Sequence, residues 1–252
     1  MNAPIAVVLA AGKGTRMKSE LAKVLFPVCG RPMIHFVIDA LQAAGVAKTI
    51  VVVGHQQEKV RETLQDRDNI EFVVQAEQLG TGHAVQVCRE NLQAHDGPVI
   101  VLAGDSPLLQ TESLKTLLAE FEKTAPALLQ GTLHKADPTG LGRIVRDADG
   151  RFTGIVEEKD ATDAQRKITE VNMSTYIFNC RDLLDALGQL KQNNSQAEYY
   201  LTDCAALLGA AGRPVEALPV LKDCEALSIN TREDLAMVDA KMHEMGYADN
   251  DA

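Results

Sequence analysis

Short β-branched runs alternate with helical patterns over the first half of the chain, and this alternation restricts the fold more than any other feature. The run IAVVLA from Ile5 leads into a glycine loop, and the run PVIVLAGD from Pro98 ends in an aspartate. Strands separated by helices form βαβ units and a mainly parallel sheet. Such sheets bind ligands beyond the carboxyl ends of their strands. The alternation therefore predicts an α/β fold with its site at that edge.

A different pattern follows Leu118. GRIVRDADGRFTGIVEEKD predicts two strands around a turn at Asp149 and Gly150, and EVNMSTYIF predicts another strand. We expect these strands to extend the sheet as a mixed sheet that encloses a second pocket. Helical segments from Arg181 and Tyr200 and a strand near VEALP complete this half.

The simplest organisation is one domain over residues 1–231, followed by a C-terminal helix and a polar tail over residues 232–252, since the chain has no internal repeat or linker. Earlier in the chain, MIHFVIDALQ predicts a helix that begins near Pro32 and stops at Gly45. The polar end YADNDA is expected to fray.

The composition excludes several classes of protein. A chain of 252 residues with 46% hydrophobic residues can bury a sizeable core. Its net charge of -10 argues against a general nucleic-acid binder, which needs a surplus of basic residues. No apolar stretch approaches the ~20 residues of a membrane helix, and the first residues lack the basic start of a secretion signal. We therefore expect a cytoplasmic protein that binds neither nucleic acid nor membrane, and the sequence leaves its oligomeric state open.

The cysteines predict neither a disulfide framework nor a zinc site. Their number is odd, and they form no C-x-x-C pair and no cysteine and histidine zinc spacing. Reduced, buried thiols are expected at Cys29, Cys88, Cys180, Cys204 and Cys224.

The stretch LAAGKGTRM, residues 9–17, follows the first predicted strand. Gly12 and Gly14 let the backbone approach a ligand, successive N–H groups form an anion-binding concavity, and Arg16 adds a bidentate donor suited to phosphate. A dinucleotide-binding loop would need a third glycine where Met17 stands, and a Walker A loop would need a GK-Ser/Thr sequence that is missing. A tight turn with solvated charges is the structural alternative.

Two further charged residues lie where the same phosphates would be bound. Lys23 in ELAKVLFPV follows the glycine loop and could lie beside Arg16, whereas alone it would be a solvated surface charge. Asp105 follows the strand VIVLA, where a carboxylate suits magnesium held against phosphate, although a turn or helix cap is an equal alternative. Together these elements indicate nucleotidyl transfer, which needs charge neutralisation and no covalent nucleophile.

Several segments carry a family resemblance, in order from about Ile5 to about Arg232: LAAGKGTRM, LAKVLFPVCGRPM, QAEQLGTGHAV, LAGDSPLL, GLGRIV, GIVEEKDAT, EVNMSTYIF and AEYYLTD. The chain resembles the uridylyltransferase (pyrophosphorylase) domain of the bifunctional N-acetylglucosamine-1-phosphate uridylyltransferase/glucosamine-1-phosphate acetyltransferase family. The resemblance implies a Rossmann-like, mixed and mainly parallel sheet flanked by helices, the nucleotide-diphospho-sugar transferase fold. It also implies transfer of UMP from UTP to N-acetyl-α-D-glucosamine 1-phosphate, giving UDP-N-acetylglucosamine and pyrophosphate, with Mg²⁺ as cofactor.

The resemblance implies roles for residues at matching positions. Arg16 and Lys23 would act on the triphosphate, and Asp105 would join them as a catalytic residue. Magnesium would be held by Asp105 and by Asn230 of SINTR. The nucleotide would contact Leu9, Ala10, Ala11, Gly12, Gly14, Thr15, Gln75, Gly80 and Thr81, of which the last three would contact uracil. The amino sugar would contact Gly142, Glu157 and Asn172.

The chemistry of individual side chains fits these roles. Gln75 can donate to and accept from a uracil edge at once. Glu157 can accept hydrogen bonds from sugar hydroxyls, although in the run EEKD it would otherwise be a solvated charge. Asn172 lies among β-branched residues and needs a polar partner, either a substrate hydroxyl or a cross-strand group. His83 is expected to be a structural residue at a helix start, because this reaction needs no strong general base.

Four positions depart from the family pattern. Ala22 stands where proline is common, which leaves the loop less rigid. Ala103 stands where an aromatic residue is common, so the pocket wall is expected to differ. Met173 and Ser174 replace a Thr-Gly pair and are expected to add bulk beside the amino-sugar site. The bifunctional enzymes continue into a β-helix of hexapeptide repeats, whereas this chain ends soon after MVDAKMHEMGY, so no acetyltransferase activity is expected.

These departures keep other functions open. One alternative is a uridylyl- or thymidylyltransferase for another sugar 1-phosphate, such as glucose 1-phosphate. Another is a non-catalytic nucleotide-sensing domain. The retention of Arg16, Lys23, Asp105 and Asn230 argues against this alternative. An NAD-dependent oxidoreductase is disfavoured by Met17 at the third glycine position.

Overall fold

The computed structural model describes residues 2–249. The strands are β1 Ile5–Ala10, β2 Pro27–Val28, β3 Arg31–Pro32, β4 Lys48–Val53, β5 Ile70–Val74, β6 Pro98–Ala103, β7 Leu128–His134, β8 Gly142–Arg146, β9 Phe152–Val156, β10 Glu170–Asn179 and β11 Val215–Leu218. The helices are α1 Met33–Ala43, α2 Gln57–Thr63, α3 Thr81–Gln86, α4 Arg89–Leu92, α5 Thr111–Thr124, α6 Asp163–Arg166, α7 Cys180–Leu187, α8 Asp203–Ala210 and α9 Arg232–Glu244. Short 3₁₀-helical turns span Thr15–Met17, Lys23–Leu25 and Asp223–Ala226.

A nine-stranded mixed sheet forms the centre of the molecule, with the main order β11-β7-β10-β6-β1-β4-β5. Strands β6, β1, β4 and β5 run parallel to one another. Strand β10 runs antiparallel to both β6 and β7, and β8 joins it to β9 as an antiparallel extension. The predicted α/β fold with a mixed sheet flanked by helices is confirmed.

The sheet separates two apolar layers. Val7 of β1 belongs to one cluster of buried residues, and its neighbours Ala6 and Val8 belong to the other. Successive side chains of a strand point to opposite faces, so a strand buried on both sides is a continuous apolar run. This explains why IAVVLA, TIVVV and PVIVLA were recognisable as strands.

Two local predictions are confirmed in detail. Helix α1 follows Pro32 directly, and Gly45 ends the region with a φ of 88°. Glycine has no Cβ and adopts this left-handed conformation readily, so it stops a helix. The turn between β8 and β9 closes with a bond from Gly150 N–H to the Asp147 carbonyl oxygen (3.0 Å), and Gly150 has a φ of 79°.

Other elements were not predicted from the sequence. The change of pattern after Leu118 falls inside α5, whose buried residues Leu114, Leu117 and Phe121 have helical spacing. Strand β7 was missed because polar residues interrupt its apolar run. Gln130 and Thr132 are nevertheless fully buried.

The C-terminal helix packs against the glycine-loop side of the molecule. The side chain of Thr231 accepts from Asp234 N–H and caps α9, and Val238 and Met242 join an apolar cluster with Met17. The proposed boundary between residues 1–231 and 232–252 remains a prediction. Tyr247, the first residue of the tail, packs edge-on to Phe36, with ring centroids 5.8 Å apart. The expected fraying of the tail stays a prediction.

Asp249 Oδ1 lies 3.1 Å from His243 Nε2, so the tail contacts α9 as far as the described residues extend. The remaining residues of YADNDA, 250–252, lie outside them. All five cysteines are free thiols, and all except the half-buried Cys224 are buried. Within residues 2–249, no helix is long and apolar enough to cross a membrane. The expected cytoplasmic location stays a prediction.

Candidate active site

The glycine loop leaves the carboxyl end of β1 and turns sharply at Gly14. Gly14 has a φ of 60°, and a Cβ built there would lie 2.9 Å from the Cβ of Lys23. Glycine is therefore required both for the backbone conformation and for the close approach of Lys23. A Cβ at Gly12 would contact nothing within 4 Å, so this part of the loop faces open space.

Two neighbouring cavities open at this edge of the sheet and share Leu9, Gly12 and Asp105. The smaller, of about 230 Å³, is lined by Leu9, Ala10, Gly12, Gly14, Thr15, Arg16, Lys23, Val24 and Asp105. The larger, of about 330 Å³, is lined by Leu9, Ala11, Gly12, Gln75, Gln78, Gly80, Thr81, Ala84, Val101, Leu102, Ala103, Asp105, Glu157, Ser174, Tyr176, Glu198, Leu201 and Thr202. We call them the loop cavity and the large cavity. Together they contain every predicted site residue except Gly142, Asn172 and Asn230.

Four predicted residues converge beside the loop cavity. Lys23 Nζ pairs with Asp105 Oδ2 and donates to Asn230 Oδ1 (2.8 Å). Arg16 Nη2 donates to the same Asn230 oxygen (2.8 Å). These groups come from segments far apart in the sequence, and the structure brings all four together; their roles toward a nucleotide and a metal stay predictions.

Asn230 is held firmly in this cluster. Its amide nitrogen Nδ2 donates to Ser228 Oγ (3.2 Å), which leaves Oδ1 for the two cations. Its backbone N–H donates to Asp234 Oδ2 (2.9 Å), the carboxylate that also caps α9. The start of α9 therefore positions a carbonyl oxygen next to the glycine loop.

The donor set of Asp105 and Asn230 suits a magnesium ion. Both residues offer hard oxygens, a carboxylate and an amide carbonyl, which are ligands that Mg²⁺ prefers. Both oxygens contact the same ammonium group, so they are arranged to share one cation. That they hold magnesium stays a prediction.

Gln75 and its surroundings form one end of the large cavity. The side chain follows β5, is 4% exposed, and donates from Nε2 to the Gly80 carbonyl oxygen (3.1 Å) and to His83 Nδ1 (3.1 Å). The next glutamine, Gln78, donates to the Ala11 carbonyl oxygen (2.8 Å) and links this segment to the glycine loop. Sequence reasoning gave Gln78 no role, although QAEQLGTG contains it.

Gly80 and Thr81 lie against the segment that precedes α8. Gly80 has a φ of 109°, and a Cβ there would lie 2.6 Å from the Tyr199 carbonyl oxygen. Thr81 Oγ1 accepts a hydrogen bond from Leu201 N–H (3.1 Å). Both residues therefore have a structural reason for their identity in addition to their place in the cavity wall.

Glu157, at the end of β9, is the predicted sugar-site residue that lines the large cavity. It accepts a hydrogen bond from Thr202 Oγ1 (3.0 Å), a partner that sequence reasoning missed. Burial raises the pKa of Glu157 above its usual value, and the nearby Asp160 and Asp203 raise it further against the effect of the Thr202 bond. A carboxylate in this position accepts hydrogen bonds strongly because it has few other partners.

Asn172 and Gly142 do not line the large cavity. They pair across β10 and β8, and a Cβ at Gly142 would lie 3.3 Å from the Cβ of Asn172. Asn172 is 7% exposed, accepts from Gln130 Nε2 (3.0 Å) and donates to Tyr176 Oη (2.9 Å). Of the two partners considered for Asn172, the structure shows a cross-strand group, Gln130 of β7, and it adds Tyr176 of the same strand. Its contact with a sugar, like that of Gly142, stays a prediction.

The positions that depart from the family pattern have different environments. Ala103 and Ser174 line the large cavity. Met173 is outside its wall and packs against an apolar layer of the sheet instead. Ala22 is fully buried at the start of the turn Lys23–Leu25. The expectation that Met173 adds bulk beside the site is therefore not supported by its position, whereas Ser174 does lie in the wall.

The parallel strands end beside a glycine loop, two basic side chains and a cluster of side-chain oxygens. This arrangement is typical of proteins that bind nucleotide phosphates. A sequence model of the MobA-like NTP transferase domain matches residues 6–200. The chain belongs to this family of nucleotidyltransferases.

Curated relatives make the relationship closer. The chain is 46% identical over 239 residues to "Bifunctional protein GlmU" of an Exiguobacterium species. The aligned region covers 95% of this chain and 52% of that protein. It is 45% identical over 231 residues to the protein of the same name from Geotalea daltonii, covering 92% of this chain and 50% of that one. The chain thus spans about half the length of these relatives. The predicted resemblance to the uridylyltransferase domain is confirmed.

A solved structure supports the fold. A crystal structure of UDP-glucose pyrophosphorylase complexed with UDP-glucose superposes with a TM-score of 0.76 at 17% identity, covering 96% of this chain and 99% of that one. At this identity the similarity establishes the fold, and it agrees with the α/β fold predicted from the sequence.

Proposed function

We propose that the protein transfers the uridylyl group of UTP to N-acetyl-α-D-glucosamine 1-phosphate and releases pyrophosphate and UDP-N-acetylglucosamine. The observation that carries this proposal is the convergence of Arg16, Lys23, Asp105 and Asn230 beside the glycine loop. Nucleotidyl transfer depends on positioning and charge neutralisation at a polyphosphate, which such a cluster supplies. The relatives named GlmU, which align with nearly the whole chain, support the choice of uridylyl transfer.

In the proposed reaction, a phosphate oxygen of the sugar 1-phosphate attacks the α-phosphorus of UTP, and the bond to pyrophosphate breaks. Arg16 and Lys23 neutralise the negative charge that develops on the leaving group. An ammonium group has three N–H donors, and Lys23 uses two of them on Asp105 and Asn230. The third is available for a phosphate oxygen in the loop cavity.

Asp105 and Asn230 would hold the magnesium ion through their oxygens. When bound, the ion neutralises phosphate charge and orients the attacking and leaving oxygens. Asp105 also keeps Lys23 in place through the ion pair, so it has a positioning effect as well.

At the other end of the large cavity, Gln75 would contact the uracil with Gly80 and Thr81. Glu157 would accept hydrogen bonds from the sugar hydroxyls, because its carboxylate faces the cavity with Thr202 as its hydrogen-bond donor.

A transfer to glucose 1-phosphate is the second candidate. It is favoured by Ala103 and Ser174 in the wall of the large cavity, where the family pattern has other residues. Loss of an aromatic side chain and gain of a hydroxyl change both the shape and the hydrogen bonding that a sugar would meet.

The test is pyrophosphate release from UTP with magnesium in the presence of N-acetylglucosamine 1-phosphate, glucose 1-phosphate or galactose 1-phosphate. The proposal expects the highest kcat/KM with N-acetylglucosamine 1-phosphate. A preference for glucose 1-phosphate would favour the second candidate, and no release with any sugar would favour a nucleotide-sensing domain.

The variant Asp105→Ala tests the metal cluster. Turnover is expected to be lost at every magnesium concentration, because the variant removes a metal ligand and the partner of Lys23. The control Asp66→Ala removes an exposed carboxylate that lines neither cavity. A rate for Asp105→Ala near that of the control would remove Asp105 from the site.

A further inference from the structure

The side-chain amide of Gln75 has a defined orientation. Its nitrogen Nε2 lies 3.1 Å from the Gly80 carbonyl oxygen and 3.1 Å from His83 Nδ1. A backbone carbonyl oxygen only accepts, so Gly80 requires the amide nitrogen on its side. The two N–H groups of the amide are then fully used within the protein, so Gln75 has no donor left for uracil, in contrast to the expectation that it both donates and accepts.

The partner of the second N–H is His83, which must accept at Nδ1. An imidazole accepts at one nitrogen when it is neutral and carries its proton on the other. His83 therefore has to carry its proton on Nε2 for both contacts of Gln75 to form. A proton on Nδ1 would place two donors face to face and push the amide away from Gly80.

This arrangement leaves the oxygen Oε1 of Gln75 for a ligand. Gln75 lines the large cavity, and among the described residues no group donates to Oε1. Oε1 is not fully buried, so it keeps access to the cavity. The cavity thus presents a hydrogen-bond acceptor at this point.

We infer that His83 is a specificity-determining residue, which orients Gln75 so that the cavity accepts a hydrogen bond from the N3–H of uracil and rejects cytosine. This inference rests on the proposed use of UTP. Cytosine has an unprotonated N3, so it would bring an acceptor against Oε1 and leave both groups unpaired. His83 acts through Gln75 and is a positioning residue.

Helix α3 and the segment before α8 hold the imidazole in place. His83 lies in the first turn of α3, and its ring is 6.4 Å from that of Tyr199, measured between centroids. The expectation that His83 is a structural residue near a helix start agrees with this position. The hydrogen bond to Gln75 adds a role in the choice of base.

The experiment compares His83→Asn with His83→Leu. Asparagine offers a carbonyl oxygen near the place of Nδ1, whereas leucine has a similar size and no acceptor. With one sugar 1-phosphate, kcat/KM is measured for UTP and for CTP. His83→Leu is expected to lower the UTP-to-CTP ratio by about 10- to 100-fold, mainly through the KM for the nucleotide. His83→Asn is expected to restore most of the ratio.

Two further measurements separate this inference from the proposed function. Calorimetric binding of UTP and CTP without sugar reports base selectivity even if no sugar is turned over. Nitrogen NMR of the His83 ring in the unmodified protein reports the tautomer, and an unprotonated Nδ1 is expected. An unchanged UTP-to-CTP ratio in His83→Leu, an equal loss in both variants, or a proton on Nδ1 would each overturn the inference.

Discussion

Lys23→Met tests the proposed phosphate site most directly. Methionine keeps most of the length of the side chain and removes the charge. Lys23 Nζ contacts Asp105 and Asn230. The start of the same side chain lies against the glycine loop, since a Cβ at Gly14 would touch the Cβ of Lys23. The loss of one preorganised charged donor lowers kcat by roughly 10²–10³, or about 3–4 kcal/mol of transition-state stabilisation.

The same substitution has a separate effect on stability. The side chains of Lys23 and Asp105 are 14% and 21% exposed, so Asp105 loses its partner in a largely buried place. An unpaired polar group of this kind costs about 1–3 kcal/mol. For a chain of this size the melting temperature is expected to fall by roughly 2–12 °C. The variant should therefore be folded at the assay temperature.

The assay is initial-rate pyrophosphate release over a range of UTP and sugar 1-phosphate concentrations, with thermal unfolding of the same samples. The matched control is Lys18→Met, which removes an exposed charge from the same loop and lines neither cavity. The control is expected to keep its rate within about twofold, since no phosphate contact is lost. A loss of less than about tenfold in Lys23→Met, with the KM for UTP unchanged, would refute the placement of Lys23 on the phosphates.

Three other predictions concern the sugar end and the sheet. Burial raises the pKa of Glu157, so the charged carboxylate lowers folding stability at a pH above the usual glutamate pKa. Glu157→Gln is therefore expected to raise the melting temperature at pH 7 and to raise the KM for the sugar 1-phosphate. A lower melting temperature would contradict this. Burial acts to raise the pKa of Glu170, but the hydrogen bonds from Arg146 and Thr132 lower the pKa overall. The charged carboxylate therefore stabilises the folded protein at a pH above the usual glutamate pKa. This stabilisation is lost as the pH falls through the lowered pKa of the folded state. Arg146→Met is therefore expected to destabilise the protein more at pH 7 than below about pH 4 in thermal melts, and an equal loss at both would exclude the ion pair as the cause. Ser174 has a φ of 53°, so Ser174→Gly is expected to raise stability by roughly 0.5–1 kcal/mol. Because Ser174 lines the large cavity, the same change is expected to alter the ratio of KM values for the two candidate sugars. The absence of both effects would contradict the place of Ser174 in the cavity wall.

The parallel half of the fold was accessible from the sequence because its determinants are local. β1 and β6 are continuous apolar runs, as is β4 from residue 50 onward, and they are buried on both faces. A glycine loop and a charged residue directly after such strands already indicate the edge where a ligand binds. Strand β7 has no such local signal, because its polar residues depend on partners far along the chain. Thr132 Oγ1 donates to Glu170 Oε1 (2.7 Å), across 38 positions.

The candidate site likewise contains residues that local sequence signals predict and contacts that depend on distant partners. Arg16, Lys23 and Asp105 could be proposed as site residues because each has a recognisable position next to a strand or loop, whereas Asn230 was added only by the family resemblance. The partner of Asn172 could not be predicted, because substrate hydroxyls and cross-strand groups satisfy an amide equally well. The packing of β10 against β7 decides this, since it brings Gln130 within 3.0 Å of Asn172 Oδ1. The same holds for His83, whose contact with Gln75 depends on how α3 follows β5.

One irregularity of β10 lies in the wall of the large cavity, at its proposed sugar end. The pairing of β10 with β7 shifts between Asn172 and Thr175, and Asn172 Oδ1 stabilises this bulge by accepting from Ser174 N–H (2.8 Å). Met173 faces the same apolar layer as Val171 and Ile177, whereas Ser174 and Tyr176 line the large cavity, so the alternation of the strand is kept across the bulge. Asn172 therefore influences the cavity through the backbone of Ser174, whose side chain lies in the wall, although Asn172 itself does not line the cavity.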